Sequence, residues 1–384
     1  MTDPSSVPRS PRWRSIDLFR GWAVVVMIET HVVNALLNPS IKETGLHKVI
    51  SFINGLVAPS FLFCAGLGLA ITLSRRREAF LTPGKTLFRY LARLGFLLIV
   101  AYSLHLPFFS WTKLKGIADA NTWIPFYQAD ILQVIALTLL LTVIFVQIFR
   151  TERRFVIALS ASAVLFVFLA PLLRNLDLGS LPPWLQPYLT NRVKSQFPLF
   201  PWSAFLIGGV LAGMYLFRHA EDQRRPAAAK LARAGILAVA AALLCEAAPL
   251  TLYPAHSFFN ASPEFFFVRF GIILCILAGF WAAERPSAPA KSRGMILFGQ
   301  ESLIVYVTHL LVVYGYTYEW SFVRLYGPTL GYAGCAGLFA ALSAAMYLLA
   351  FGWHAIKRWN AQTARAVQYA FVALMVVIFF VKQT

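Results

Sequence analysis

Long apolar stretches alternate along this chain with short polar ones rich in basic residues. The apolar runs lie near 17–37, 50–73, 86–106, 127–149, 154–174, 198–217, 231–252, 265–284, 294–316, 332–355 and 365–382. Each approaches the roughly twenty residues that a helix needs to cross a bilayer. The pattern predicts an all-α, polytopic membrane helix bundle of about eleven transmembrane helices. It forms a single domain over 1–384, with a polar cytoplasmic tail at 1–16. The first run is the least hydrophobic, and Glu246 and Pro249 interrupt the run at 231–252.

The basic residues orient this array. With the N-terminus in the cytoplasm, 24 Lys and Arg fall in inside segments and nine in outside segments, while Arg269 lies within a span. Every inside loop is more basic than its outside neighbours, as the positive-inside rule requires for N-in, C-out. The same rule accounts for the net charge of +18, so nucleic acid is not an expected partner. Hydrophobic residues make up 59% of the 384 and charged residues 13%, about half the charged share of a soluble chain. This composition excludes a soluble enzyme. Cys64, Cys245, Cys275 and Cys335 sit in apolar stretches without metal-ligand spacing and read as core residues. The N-terminal segment lacks a cleavable signal pattern, so the first helix reads as a retained anchor. The long outer loops, 107–126 and 175–197, are rich in Trp, Tyr, Phe and Pro. They suit sugar stacking or an aromatic belt at the headgroups equally well.

The first run carries the most informative pair. Arg20 and His31 are eleven residues apart, which returns a helix to within about 20° of one face and spans about 16 Å. Ionisable groups inside hydrocarbon are costly and mark a site or pathway. Glu29, His105, Asp130, Glu246, Arg269, His309 and Glu319 also fall toward the outer ends of spans, with His47 in the first outer loop. Together they predict a polar cavity opening outward. Glu246 and Arg269 read as an interhelical ion pair. Glu29, about 160° around the helix from His31, is expected to face another helix. Histidine is a natural general base near neutral pH, with Asp130 or Glu301 to orient it. No nucleophile elbow, phosphate-binding glycine loop or zinc-ligand spacing is present, so no metal is expected. Gly66 and Gly68 read as helix-packing positions.

RSIDLFRGWAVVVM, from Arg14, resembles the first-helix signature of the heparan-alpha-glucosaminide N-acetyltransferase-like family and its bacterial relatives, within a wider transmembrane acyltransferase superfamily. The likeness continues in order through NGLVAPSFLFCAGLGLAITLSRR, YQADILQVIALTLL, FPLFPWSAFLIGGVLAGM, PEFFFVRFGIILCILA and FGQESLIVYVTHLLVVYG. It implies transfer of an acyl group, usually acetyl, from a cytoplasmic acyl-CoA such as acetyl-CoA to an amine or hydroxyl of a sugar-like acceptor outside. It also implies a multi-pass protein of a bacterial plasma membrane, with the lipid bilayer, the donor and the acceptor as partners.

The spacing of Arg20 and His31 also matches the related acyltransferase-3 branch, where the histidine is catalytic and the arginine handles the donor. In the lysosomal branch an asparagine stands at the position of His31 and the catalytic histidine lies in the next outer loop, near His47. The base is therefore His31 or His47, with helix geometry favouring His31; Asp130 and His309 complete the candidate catalytic set. Arg20, Arg75, Arg89 and Arg93 are the candidate donor-binding cations, because the guanidinium fork bonds phosphate bidentately. Without an obvious Ser or Cys nucleophile, direct transfer is favoured over an acyl-enzyme. The rival reading is a proton-coupled transporter whose buried His, Asp and Glu form a relay.

Overall fold

A computed structural model describes residues 13–191, 195–248, 258–283, 293–315 and 320–382. Among these, thirteen helices have eight or more residues: α1 Arg14–Leu36, α2 Gly45–Asn54, α3 Val57–Arg76, α4 Lys85–Leu104, α5 Ile131–Ile148, α6 Glu152–Asn175, α7 Leu199–Phe217, α8 Arg224–Ala247, α9 Pro263–Ala283, α10 Arg293–Gln300, α11 Ser302–Tyr314, α12 Tyr332–Trp359 and α13 Ala361–Val381. No strand occurs among the described residues, only an isolated bridge between Leu37 and Leu330. The protein is an all-α bundle.

Among the described residues nine helices are long and apolar enough to cross a membrane, α2 and α3 counting as one, and the pair α10–α11 makes a tenth if taken together. The chain is an integral, multi-pass membrane protein. The remaining expected span corresponds to α1. Its 23 residues give it the length, but it carries Arg14, Asp17, Arg20 and Glu29.

The expected continuous span at 294–316 is broken. α10 and α11 meet at 83°, and Glu301 at the junction leaves helical geometry with φ −105° and ψ 22°. Its carboxylate is 3% exposed and accepts from His354 Nδ1 at 2.9 Å and Lys357 Nζ at 2.5 Å, both on α12. Glu301 thus ties the break to α12, and its carboxylate is engaged there and not with His31, whose ring nitrogen meets Tyr314. The helix at 127–149 starts late, at Ile131, because Asp130 caps it: Asp130 Oδ1 accepts from the Ile131 N–H at 2.7 Å. Three of the four cysteines are at least partly covered, but Cys245 is exposed on α8 and is not a core residue.

Lipid supplies no hydrophobic drive between helices, so close packing of small residues must hold them together. Three glycine pairs do so. Gly21 of α1 lies against the Met295 carbonyl of α10, and Gly299 of α10 against the Asp17 carbonyl of α1. Gly66 of α3 meets the Leu206 carbonyl of α7, and Gly209 of α7 meets the Phe63 carbonyl of α3. Gly235 of α8 and Gly271 of α9 each face the other's carbonyl. Around these seams the core is aliphatic and aromatic, with Phe19, Phe63, Phe80, Phe155 and Phe205 fully buried. α13 buries only Ala364 and lies at the periphery.

The C-terminal ends of α1 and α11 meet the N-terminal ends of α5, α7 and α9 around one cavity. Substituting Gly209→Val should drive a branched side chain into the Phe63 backbone. The expected cost is about 1–3 kcal/mol or more, by analogy with overpacked cores, read as a lowered melting temperature of the detergent-purified protein. An unchanged melting temperature would refute the seam.

Candidate active site

The cavity encloses 640 Å³. α1 lines it with Met27, Thr30, His31 and Asn34, the i, i+3, i+4, i+7 set of one helical face. α11 contributes Tyr306, Leu310 and Tyr314, again four apart and so on one stripe. The start of α5 supplies Asp130, the start of α7 supplies Phe200, Trp202 and Phe205, and α9 supplies Phe265, Phe266 and Arg269. Amides from the loops and α2, including Asn54, Gln128 and Gln196, complete the wall. Flat aromatic faces interleaved with amide donors and acceptors suit a polar ligand with apolar faces, such as a sugar ring.

Two polar chains cross this wall. His31 Nδ1 is 3.1 Å from the Tyr314 hydroxyl, and the His31 and His309 rings lie 5.1 Å apart. His309 is fully buried; its Nδ1–H donates to the Val305 carbonyl at 2.8 Å. That bond leaves Nε2 as the acceptor, and Nε2 has no partner among the described residues. On the other side, His105 Nε2 donates to Asp130 Oδ2 at 3.0 Å and the Tyr306 hydroxyl donates to the same oxygen at 3.4 Å. The Tyr306 ring in turn meets His309 at 5.8 Å.

Asp130 lies one residue before α5. Burial pushes its carboxyl up, but the hydrogen bonds from His105 and the Ile131 N–H outweigh that and hold it below the ordinary aspartate range.

The candidate residues separate into two ends. His31, His105 and Asp130 line the cavity, and His309 stands directly behind His31. His47, in the first turn of α2, is not on the cavity wall. Glu29 does not itself line the cavity but reaches another helix, as expected, beside Asn54 of the cavity wall and near Cys335. Glu319 lies outside the described residues. Arg20 belongs to the other end of α1, where Nη1 donates to the Gly299 carbonyl at 3.4 Å and the Gln300 amide donates to Asp17 Oδ2 at 3.1 Å. Arg20 and His31 thus both face the broken helix α10–α11, as the eleven-residue spacing requires. Val24 and Met27, 0% and 2% exposed, pack between them. Arg75, Arg89 and Arg93 are exposed on α3 and α4; none lines the cavity.

The expected Glu246–Arg269 pair does not form. Glu246 is exposed at the end of α8. Arg269 instead lies over Phe265, 3.9 Å from the ring centroid, and 5.9 Å from that of Trp202. The sequence reading also passed over Tyr306 and Tyr314. Their four-residue register with Leu310 was the available signal.

A family model described as heparan-alpha-glucosaminide N-acetyltransferase, catalytic, matches residues 12–258. That segment holds His31, His105 and Asp130, and stops short of Arg269, Tyr306, His309 and Tyr314. No curated protein matches the chain.

A carboxyl held low in the folded state adds stability above its unfolded pKa, which is about 3.9, and loses it as pH falls through the folded value. Asp130→Asn should therefore be less stable than the wild type at neutral pH, and the gap should close on acidification below about pH 4. Thermal unfolding across pH measures this, and a gap independent of pH would contradict it.

Proposed function

The chain belongs to the heparan-alpha-glucosaminide N-acetyltransferase catalytic family, and from that premise we propose that it carries acetyl from cytoplasmic acetyl-CoA to an amine or hydroxyl of a sugar-like acceptor held in the outer cavity. One observation carries this reading. His31 lines the cavity on the same helix, and along the same seam, as Arg20 at the other end.

In this mechanism His31 Nδ1–H donates to the Tyr314 oxygen, which leaves the Nε2 lone pair for the acceptor. The acceptor's nitrogen or oxygen attacks the thioester carbonyl while its proton passes to Nε2. The carbon–sulfur bond breaks, and the departing thiolate takes the proton back as the free thiol. His309 backs the His31 ring, and Asp130 holds His105 and Tyr306 along the wall. Arg20, with Arg75, Arg89 and Arg93 nearer the cytoplasm, meets the donor's diphosphate. The seam between α1 and α10–α11 is the route that joins the two ends. Val24 and Met27 must yield for the pantetheine arm to reach His31. N-in, C-out orientation places the donor on the basic side of the bundle, which the 24-to-9 distribution of Lys and Arg favours.

Membranes bearing the chain, incubated with isotope-labelled acetyl-CoA and amino sugars, should yield a labelled product. His31→Ala should lower that rate by about 10² to 10⁴, the usual contribution of a positioned base, while the protein still binds coenzyme A. His47→Ala should stay close to wild type. The reverse pattern would move the base to the outer loop, and full activity in both variants would remove both histidines from the role.

Arg20→Ala should weaken coenzyme A binding by the folded protein, with acceptor binding little changed. Arg20→Lys should recover only part of the affinity, since a point charge replaces a bidentate fork. Equal donor affinity in wild type and Arg20→Ala would leave Arg20 as a packing residue against Gly299.

A further inference from the structure

Arg269 is a cation in a membrane-spanning helix, and among the described residues it has no counter-ion. Its side chain enters the cavity six residues into α9. The guanidinium lies over Phe265 at 3.9 Å and near Trp202 at 5.9 Å, and Nη2 faces Gly55, where even a methyl group would stand only 3.1 Å away. Aromatic faces attract a guanidinium, but they do not offer its five N–H donors the lone pairs of an oxygen acceptor. Among the described residues Arg269 forms no ion pair. The cavity's carboxylate, Asp130, is engaged by His105 and Tyr306. A cation placed in a span and aimed into a cavity, with the local carboxylate already taken, calls for an anion from the ligand.

We infer that Arg269 seats a phosphate group of the acceptor, so that the acceptor is a sugar phosphate rather than a neutral sugar. This rests on the acetyl-transfer reading of the cavity. It assigns Arg269 to acceptor recognition and His31 to the reacting group, on separate helices of one wall.

The test needs no donor. Full-length, detergent-purified protein is heated with glucosamine, glucosamine 6-phosphate or inorganic phosphate, and the concentration giving half-maximal stabilisation is read for each. Glucosamine 6-phosphate should act at a concentration about tenfold lower than glucosamine, the worth of one charge-assisted hydrogen bond, and should outperform inorganic phosphate. Arg269→Gln should erase the difference between the two sugars.

Equal action of the two sugars on wild type overturns the inference, and so does a preference that survives in Arg269→Gln. Inorganic phosphate equal to the sugar phosphate also overturns it, since the site would then hold a free anion. If Arg269→Gln does not fold, the wild-type comparison decides alone. Failure of the acetyl-transfer reading looks different: the phosphate preference would be present and lost in Arg269→Gln, while labelled acetyl-CoA gave no product.

Discussion

Backbone-to-backbone packing through glycine is the constraint on which this structure depends. Apolar side chains gain little by leaving lipid for one another, so helices associate where their surfaces can approach closely. The α1–α10, α3–α7 and α8–α9 seams each place a glycine against a carbonyl of the partner. The first of these matters most for the site. It presses α1 against the short helix α10 at Gly21 and Gly299, which fixes both the depth and the rotation of α1. Arg20 and His31 take their directions from that contact.

The broken helix completes the arrangement. Because α10 and α11 diverge by 83° at Glu301, α10 can pack along the start of α1 while α11 carries Tyr306 and Tyr314 to the cavity and His309 behind His31. A straight helix would be set in one direction by one seam. The carboxylate at the bend is costly to bury, and His354 and Lys357 of α12 satisfy it. A polar cluster distant from the cavity thereby helps set the position of the residues behind His31.

The cavity itself divides polar work between neighbouring groups. His31, Tyr314 and His309 form one group, Asp130, His105 and Tyr306 another, and Arg269 stands on its aromatic platform. The family match ends at residue 258, so the α9 and α11 contributions are known from their position in the fold. Their convergence with α1 and α5 makes one site of both parts of the chain.

The sequence by itself determined the helical membrane character and the approximate spans, because the transfer of each apolar run into lipid depends on that run's own composition. It also determined that Arg20 and His31 share a stripe, since that follows from helix periodicity within α1 alone. Gly66 was legible as a packing position for the same local reason. Only the tertiary structure decided that Arg269 stacks on Phe265 instead of pairing with Glu246, that Glu301 sits at a break and serves α12, and that Tyr314 and His309 are the neighbours of His31. Each of these depends on how one helix is rotated against another. That rotation is set by close contacts between residues tens to hundreds of positions apart, and no local pattern of hydrophobic and polar residues encodes it.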